Sequence, residues 1–304
     1  MGGAMWNVLT DWTLEPTVIA GLAIAALLYG RGVSYSRRHG QATRLHWRHI
    51  LAFYGGLLII FIALESALDD YAEQLLWAHM IQHELLMMVA PPLLLLGMPT
   101  LPLWRAVPLA ARRGTLQWVM RKRGTRHAAH LVGRVFSTPA VCWGIFVATI
   151  YVWHLPALYN AALENIAIHA FQHLCFIWAG LFFWSQVLPW RPGRPRLSYP
   201  RRAAYLIVGG LASNILDTVF MFSTGVIYSY YATVPREPGA VTVLEDQHIA
   251  GAIMSVSGTI IITCMVMVMI GLWLQATERL DEASVRSRPP RNAFSRSEGS
   301  APTL

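Results

Sequence analysis

Charge is what this sequence has least of: 13% of its 304 residues are Asp, Glu, Lys or Arg, against 55% hydrophobic, and the mean hydropathy is +0.43. That balance excludes an ordinary soluble domain, in which charged residues make up about a quarter. Cysteine is nearly missing too. Cys142, Cys175 and Cys264 lie singly inside apolar runs with no C-x-x-C pair, which excludes a disulfide framework. There is no H-E-x-x-H, so the helix-borne motif of zinc hydrolases is absent. The first 15 residues hold no Lys or Arg, and no small-residue cleavage site follows the first apolar run. That run is expected to be a retained helix rather than a signal peptide.

What is present in quantity is apolar sequence in long runs. Stretches sufficient for a hydrocarbon core of about 30 Å, at about 20 residues each, fall at 14–30, 47–65, 74–97, 138–155, 165–188, 203–223 and 249–275. The expected fold is an all-α integral membrane protein, a bundle of seven transmembrane helices. Of the 24 Lys and Arg, all but Arg236 fall in alternate connections or in the C-terminal tail. The other connections carry Asp69, Asp70, Glu73, Glu164, Glu237, Glu245 and Asp246. Basic residues are retained on the cytoplasmic side, so the pattern predicts an outside N-terminus and a cytoplasmic C-terminus in the cell (cytoplasmic, or inner) membrane. The net charge of +8 is then an orientation signal with contact to anionic lipid, not the mark of a nucleic-acid partner. The expected division is a transmembrane domain over 1–277 and a disordered cytoplasmic tail over 278–304, which is polar and rich in Ser, Pro and Arg. The basic connection 98–137 is a candidate for an interfacial amphipathic helix.

Seven helices of alternating direction assign each intramembrane polar residue a depth, at about 1.5 Å per residue. His79 and His83 lie in the outer part of the third span, and His169 and His173 at the same depth in the fifth. His154 ends the fourth span and His248 opens the seventh; Asp217 and Glu65 fall in the same outer layer. The remaining histidines, His39, His46, His49, His127 and His130, belong to the basic connections. "HMIQH" at 79–83 and "HAFQH" at 169–173 repeat the pattern H-x-x-Q-H. Residues four apart share a helix face, so each pair is able to present two imidazoles to one ion. His-rich sites suit zinc or copper, and thioether sulfur tilts the choice toward Cu(I); Met80 and Met254 lie in this layer, with Met87, Met88 and Met221 near it. Glu84 and Asp217 are costly at this depth and read either as groups that orient ligands or as helix-packing residues. Pro91 and Pro92 are expected to kink the third span below its His pair.

The stretches "HMIQHELLMMVAPPLLLLGMP", "WHLPALYNAALENIAIHAFQH" with "FFW" at 182–184, and "DQHIAGAIM" at 246–254 resemble the multi-spanning CtaG-type (caa3-type) cytochrome c oxidase assembly factors. The resemblance covers about residues 16–275. It implies a seven-helix membrane protein that is not an enzyme, one that supplies or inserts copper at the binuclear centre of a haem-copper oxidase. Its partners would be the oxidase catalytic subunit and a periplasmic copper donor. By motif match the implied metal residues are His79, His83, His154, His169, His173 and His248; Glu84, Asp217, Met80 and Met254 are candidate supporting neighbours on their position in the outer layer, and Asp217 and Glu65 rest on depth alone. Other functions stay open on the residues alone. A copper transporter or tolerance protein would want ligands continuing to the inner leaflet, and below His83 and His173 the helices read as apolar. An intramembrane metalloenzyme would want three ligands, an open position and a general base. Haem ligation by the His pairs is the last alternative.

Overall fold

Proline marks where helices begin. Pro16, Pro139, Pro156 and Pro200 each stand in a first turn, where the missing N–H would have found no intrahelical acceptor. The structure is a computed structural model that describes residues 12, 14–39, 45–189, 197–236 and 241–286, and every regular element among these is helical. In chain order they are α1 (Pro16–Arg38), α2 (Trp47–Glu65), α3 (Ala67–Gln74), α4 (Leu76–Leu96), α5 (Thr100–Ala106), α6 (Leu109–Arg121), α7 (Arg123–Val135), α8 (Pro139–Trp153), α9 (Pro156–Glu164), α10 (Ile166–Trp184), α11 (Tyr199–Phe222), α12 (Tyr230–Thr233) and α13 (Val243–Arg286).

Six of them, α1, α2, α4, α10, α11 and α13, are long and apolar enough to cross a membrane unaided. The expected span at 138–155 is instead the 15-residue α8, which reaches that length only when joined to α7 across a 70° bend. Pro156 disfavours helix at the residue before it, so α8 gives out at His154. The 98–137 connection forms α5, α6 and α7; α6 buries nothing and leaves Leu116, Trp118 and Met120 exposed. At the other extreme α13 continues to Arg286, past the boundary expected at 277. "ATERLDEASVR" supplies good helix formers and no Gly or Pro, so the helix has no local reason to stop. Residues 287–304 of the expected tail lie outside the described residues, as do Arg44 and 191–196 among the basic positions.

Many large apolar side chains face outward, among them Leu27, Leu58, Ile215, Val256 and Met267, as a lipid-facing surface requires. Inside, Tyr29, Phe53, Leu86 and Leu94 join α1, α2 and α4. Phe146, Phe176, Phe183, Trp184 and Leu206 fill the centre between α8, α10 and α11. A third cluster with Met80, Tyr159, Phe220, Tyr228, Tyr231 and Met254 closes one end of the bundle.

The expected kink in α4 takes the form of a π turn over Leu85–Val89. Pro91 has no N–H to give to Met87 O, four residues back; Trp184 Nε1 donates to that carbonyl instead, at 3.3 Å. Gly180 of α10 lies against the same turn, where a Cβ would come within 2.5 Å of Met87 O. This close approach sets the two H-x-x-Q-H segments side by side.

Candidate metal centre

Within each H-x-x-Q-H segment the imidazoles lie one turn apart on one helix face, edge-on or tilted to each other. The ring centroids of His79 and His83 are 4.3 Å apart, and those of His169 and His173 4.2 Å. Packing α4 on α10 then merges the pairs: His79 is 5.1 Å from His169 and 6.2 Å from His173, and His83 is 5.6 Å from His173. Ligand atoms of His79, His169 and His173 all lie within 4.8 Å of one another. An ion bonded to each at about 2.0–2.1 Å would draw them somewhat closer. His154, at the end of α8, joins from the far side of His83, at 6.0 Å. His79, His83, His154 and His173 are each 6% exposed or less.

Hydrogen bonds fix where the lone pairs point. A carbonyl only accepts, so the 2.7 Å contact with Ile150 O places the proton of neutral His154 on Nδ1 and leaves Nε2 bare. Nε2 of His154 is buried with no partner. Tyr231 gives its hydroxyl proton to Ala72 O at 2.9 Å and lies 3.2 Å from His79 Nδ1, which therefore donates to the phenol oxygen. His79 Nε2 is then a lone pair, and the 2.8 Å contact with His83 Nε2 is completed by the proton on His83. That arrangement leaves His83 Nδ1 buried and without a partner; Nε2 of His169 and of His173 are in the same condition. Buried imidazole nitrogens are ordinarily satisfied. Several bare ones in a single cluster are what a metal ion requires of neutral histidines.

Beyond His83 lies a cavity of about 40 Å³. His83, His154, Met80, Met254, Glu84 and Asp217 all contribute to its wall. Glu84 Oε2 is buried with no partner, and Asp217 is 2% exposed. Asp217 of α11 and Glu84 of α4, both placed in the outer layer by their sequence positions, thus line one space next to His83.

His248 stands apart from the other five. Its Nε2 donates to Ser223 O at 2.9 Å, and it has no ring contact with the cluster among the described residues. Its neighbours face inward instead. Asp246 accepts from the N–H groups of Leu76 and Trp77, each at 3.0 Å, capping α4, and pairs with Arg236 at 2.8 Å. Gln247 accepts from Ile227 N–H at 2.7 Å and donates to Gly225 O at 3.2 Å. Successive helical residues differ by about 100° in direction, so with Asp246 and Gln247 turned to the core, His248 cannot also be. Glu65 likewise holds structure together, accepting from Glu15 N–H at 2.7 Å. Cys175 packs on the central cluster as filler.

Tyrosines are the residues the sequence reading missed. Tyr159 of α9 is fully buried with its ring 5.2 Å from His79 and stacks on Tyr228 at 3.8 Å. Tyr228 donates to His154 O at 3.0 Å. The signal available was the run "YSYY" at 228–231 beside a span end, which reads equally well as an interfacial aromatic belt.

A family model for the cytochrome c oxidase caa3 assembly factor, Caa3_CtaG, matches residues 27–276. Uncharacterized proteins of Mycobacterium bovis and Mycobacterium tuberculosis are each 23% identical over 295 residues, covering 95% of this chain and 42% of their own length. One of Mycobacterium leprae is 22% identical over 277 residues, covering 89% of this chain and 40% of its own length. The chain therefore spans about two fifths of the length of these curated relatives. No solved structure matches it.

Proposed function

Because the chain belongs to the cytochrome c oxidase caa3 assembly factor family, we propose that it binds copper in the histidine cluster and assists its insertion into a haem-copper oxidase. The observation that carries this reading is the set of buried, unpartnered imidazole nitrogens that His83, His154, His169 and His173 hold around His79. Copper is cargo here, taken up by His79, His169 and His173 and held as Cu(I), the state favoured by thioether sulfur such as that of Met80 and Met254 in the adjoining cavity beyond His83. The protein binds and transfers without catalysing a reaction. Its partner is the oxidase catalytic subunit within the same membrane, with a periplasmic copper donor upstream. The basic asymmetry supports seven spans, α8 completing the set, in the cell inner membrane with the N-terminus outside. Reporters fused after residue 70 or 160 would then be exposed outside and one fused after 120 inside.

The test is metal competition on purified protein. Under reducing conditions it should retain Cu(I) against a chelator, and zinc should not displace it; preferential retention of zinc would move the assignment to a metalloenzyme. A copper transporter is the second reading, favoured by the cavity that carries Glu84 and Asp217 beyond His83. Copper accumulation inside proteoliposomes would select it.

A further inference from the structure

Beside the histidine cluster, and sharing no lining residue with the Glu84 cavity, α1, α2, α3 and α10 enclose a groove of about 280 Å³. Its polar lining consists of Glu15, Asp69, Asp70, Glu73, His169 and His173, and the rest is apolar. These residues form a gradient of exposure: Glu15 and Glu73 are exposed, Asp69, Asp70 and His169 half-buried, and His173 6% exposed. Nε2 of His169 and of His173 are buried and lack hydrogen-bond partners. The four carboxyl groups are not neutralised by their surroundings. Among the described residues the ion pair at this end joins Arg236 to Asp246, outside the groove lining. Asp69 accepts from Gln82 Nε2 at 2.6 Å, which fixes its side chain relative to α4.

We propose that this groove is the port through which a metal cation, once released by its donor, reaches the histidines, its carboxylates drawing the ion in and His169 and His173 receiving it. The inference rests on the metal-binding reading above. A cleft lined by charge of one sign with low-dielectric walls concentrates counter-ions and speeds association by about 10–1,000-fold, an effect that added salt removes. The occupant is a small cation because the groove narrows between apolar walls onto a residue as enclosed as His173, which leaves a protein surface nothing to dock against. His169 takes the ion first, being the more exposed of the two. His173 and His79 complete its coordination.

The experiment uses the full chain in lipid nanodiscs and follows Cu(I) uptake from a weak chelator by stopped flow in a reducing buffer. The variant Asp70→Asn/Glu73→Gln removes charge and leaves the Asp69–Gln82 contact in place. Its association rate should fall about tenfold at low salt and match the unaltered protein at high salt, with the dissociation rate unchanged. The charge-preserving Asp70→Glu/Glu73→Asp should associate at the unaltered rate, which separates charge from shape. Equal rates for the neutral variant at low salt would overturn the port while leaving the metal site standing. So would faster dissociation with unchanged association, since the carboxylates would then be ligands. If the unaltered protein retained no Cu(I), the metal-binding reading would fall and the port with it.

Discussion

Arg113, Arg121, Arg126 and Arg134 lie exposed at the basic end of the bundle, on helices of which α6 buries no residue at all. At the opposite end His79, His83, His154 and His173 are almost wholly enclosed. Both ends are rich in ionisable groups, yet only one confines them. An exposed arginine is solvated whatever its neighbours do, so its contribution is its charge and any one of the set is replaceable. An enclosed imidazole must find a partner for each nitrogen or leave it bare at a cost of about 1–3 kcal/mol. At the histidine end Asp246 is satisfied by Leu76, Trp77 and Arg236, and Gln247 by Ile227 and Gly225. Bare atoms remain on the imidazoles of His83, His154, His169 and His173 and, beside them, on Gln82, Glu84, Tyr159 and Gln172, which marks this end as the place where the fold keeps capacity for a ligand.

Breaking the His pairs should give the largest effect. His79→Ala/His83→Ala and His169→Ala/His173→Ala should each lower copper retention by more than about 100-fold, since even losses outside the ligand set typically cost about 10–100-fold. Both variants should reach normal amounts in the membrane, because His to Ala makes each span more apolar. Cells carrying them should assemble an oxidase with haem and without copper at the binuclear centre, read by metal content and activity. Combining the pairs should add little.

Next in size is Asp246→Ala, which uncaps α4 and leaves Arg236 without its partner. Breaking a fully buried pair costs about 3–5 kcal/mol; Arg236 is partly exposed and keeps Val241 O, so the loss should fall below that range and still lower the thermal midpoint in detergent and protein abundance with it. A variant as stable as the parent would show that the histidine end is not held together through this contact.

Asp69 offers a pH test of the same end. Burial, partly offset by the Gln82 hydrogen bond, raises its carboxyl to about 6. A raised carboxyl favours the fold when protonated: its stabilising contribution is complete below the ordinary value near 3.9 and lost as pH rises through about 6. Asp69→Asn keeps an acceptor for Gln82 and removes the charge. It should nearly match the parent at pH 4 and exceed it by up to about 3 kcal/mol at pH 8, read from thermal unfolding at the two pH values. A gain of the same size at both would show that ionisation is not the cause.

The smallest effects belong to His248 and the basic end. His248→Ala removes one hydrogen bond, to Ser223 O, at about 0.5–1.5 kcal/mol, and should leave copper retention unchanged. Arg121→Gln/Arg126→Gln should alter stability by no more than about 0.5 kcal/mol and metal retention not at all. Lost retention in the arginine variant would mean that the two ends are coupled.

Local chemistry determined much of this by itself. Apolar runs specify membrane helices because the bilayer offers the backbone no other partner, and H-x-x-Q-H puts two imidazoles on one face because the turn is 3.6 residues. Pro91 announced a break in α4 for the same local reason, although not that Trp184 would take up the released Met87 carbonyl. What sequence spacing does not contain is the rotation of each helix against its neighbours. Close packing at Gly180 on Met87, and at Gly251 on Met221, decided that. It turned His79, His83, His169 and His173 toward one another and His248 away. It also brought Tyr159, Tyr228 and Tyr231 from two separate connections over the cluster, and gathered Glu15, Asp69, Asp70 and Glu73 at one groove. Those residues are far apart in the chain, and only the contacts between helices set the distances at which their charges and lone pairs act together.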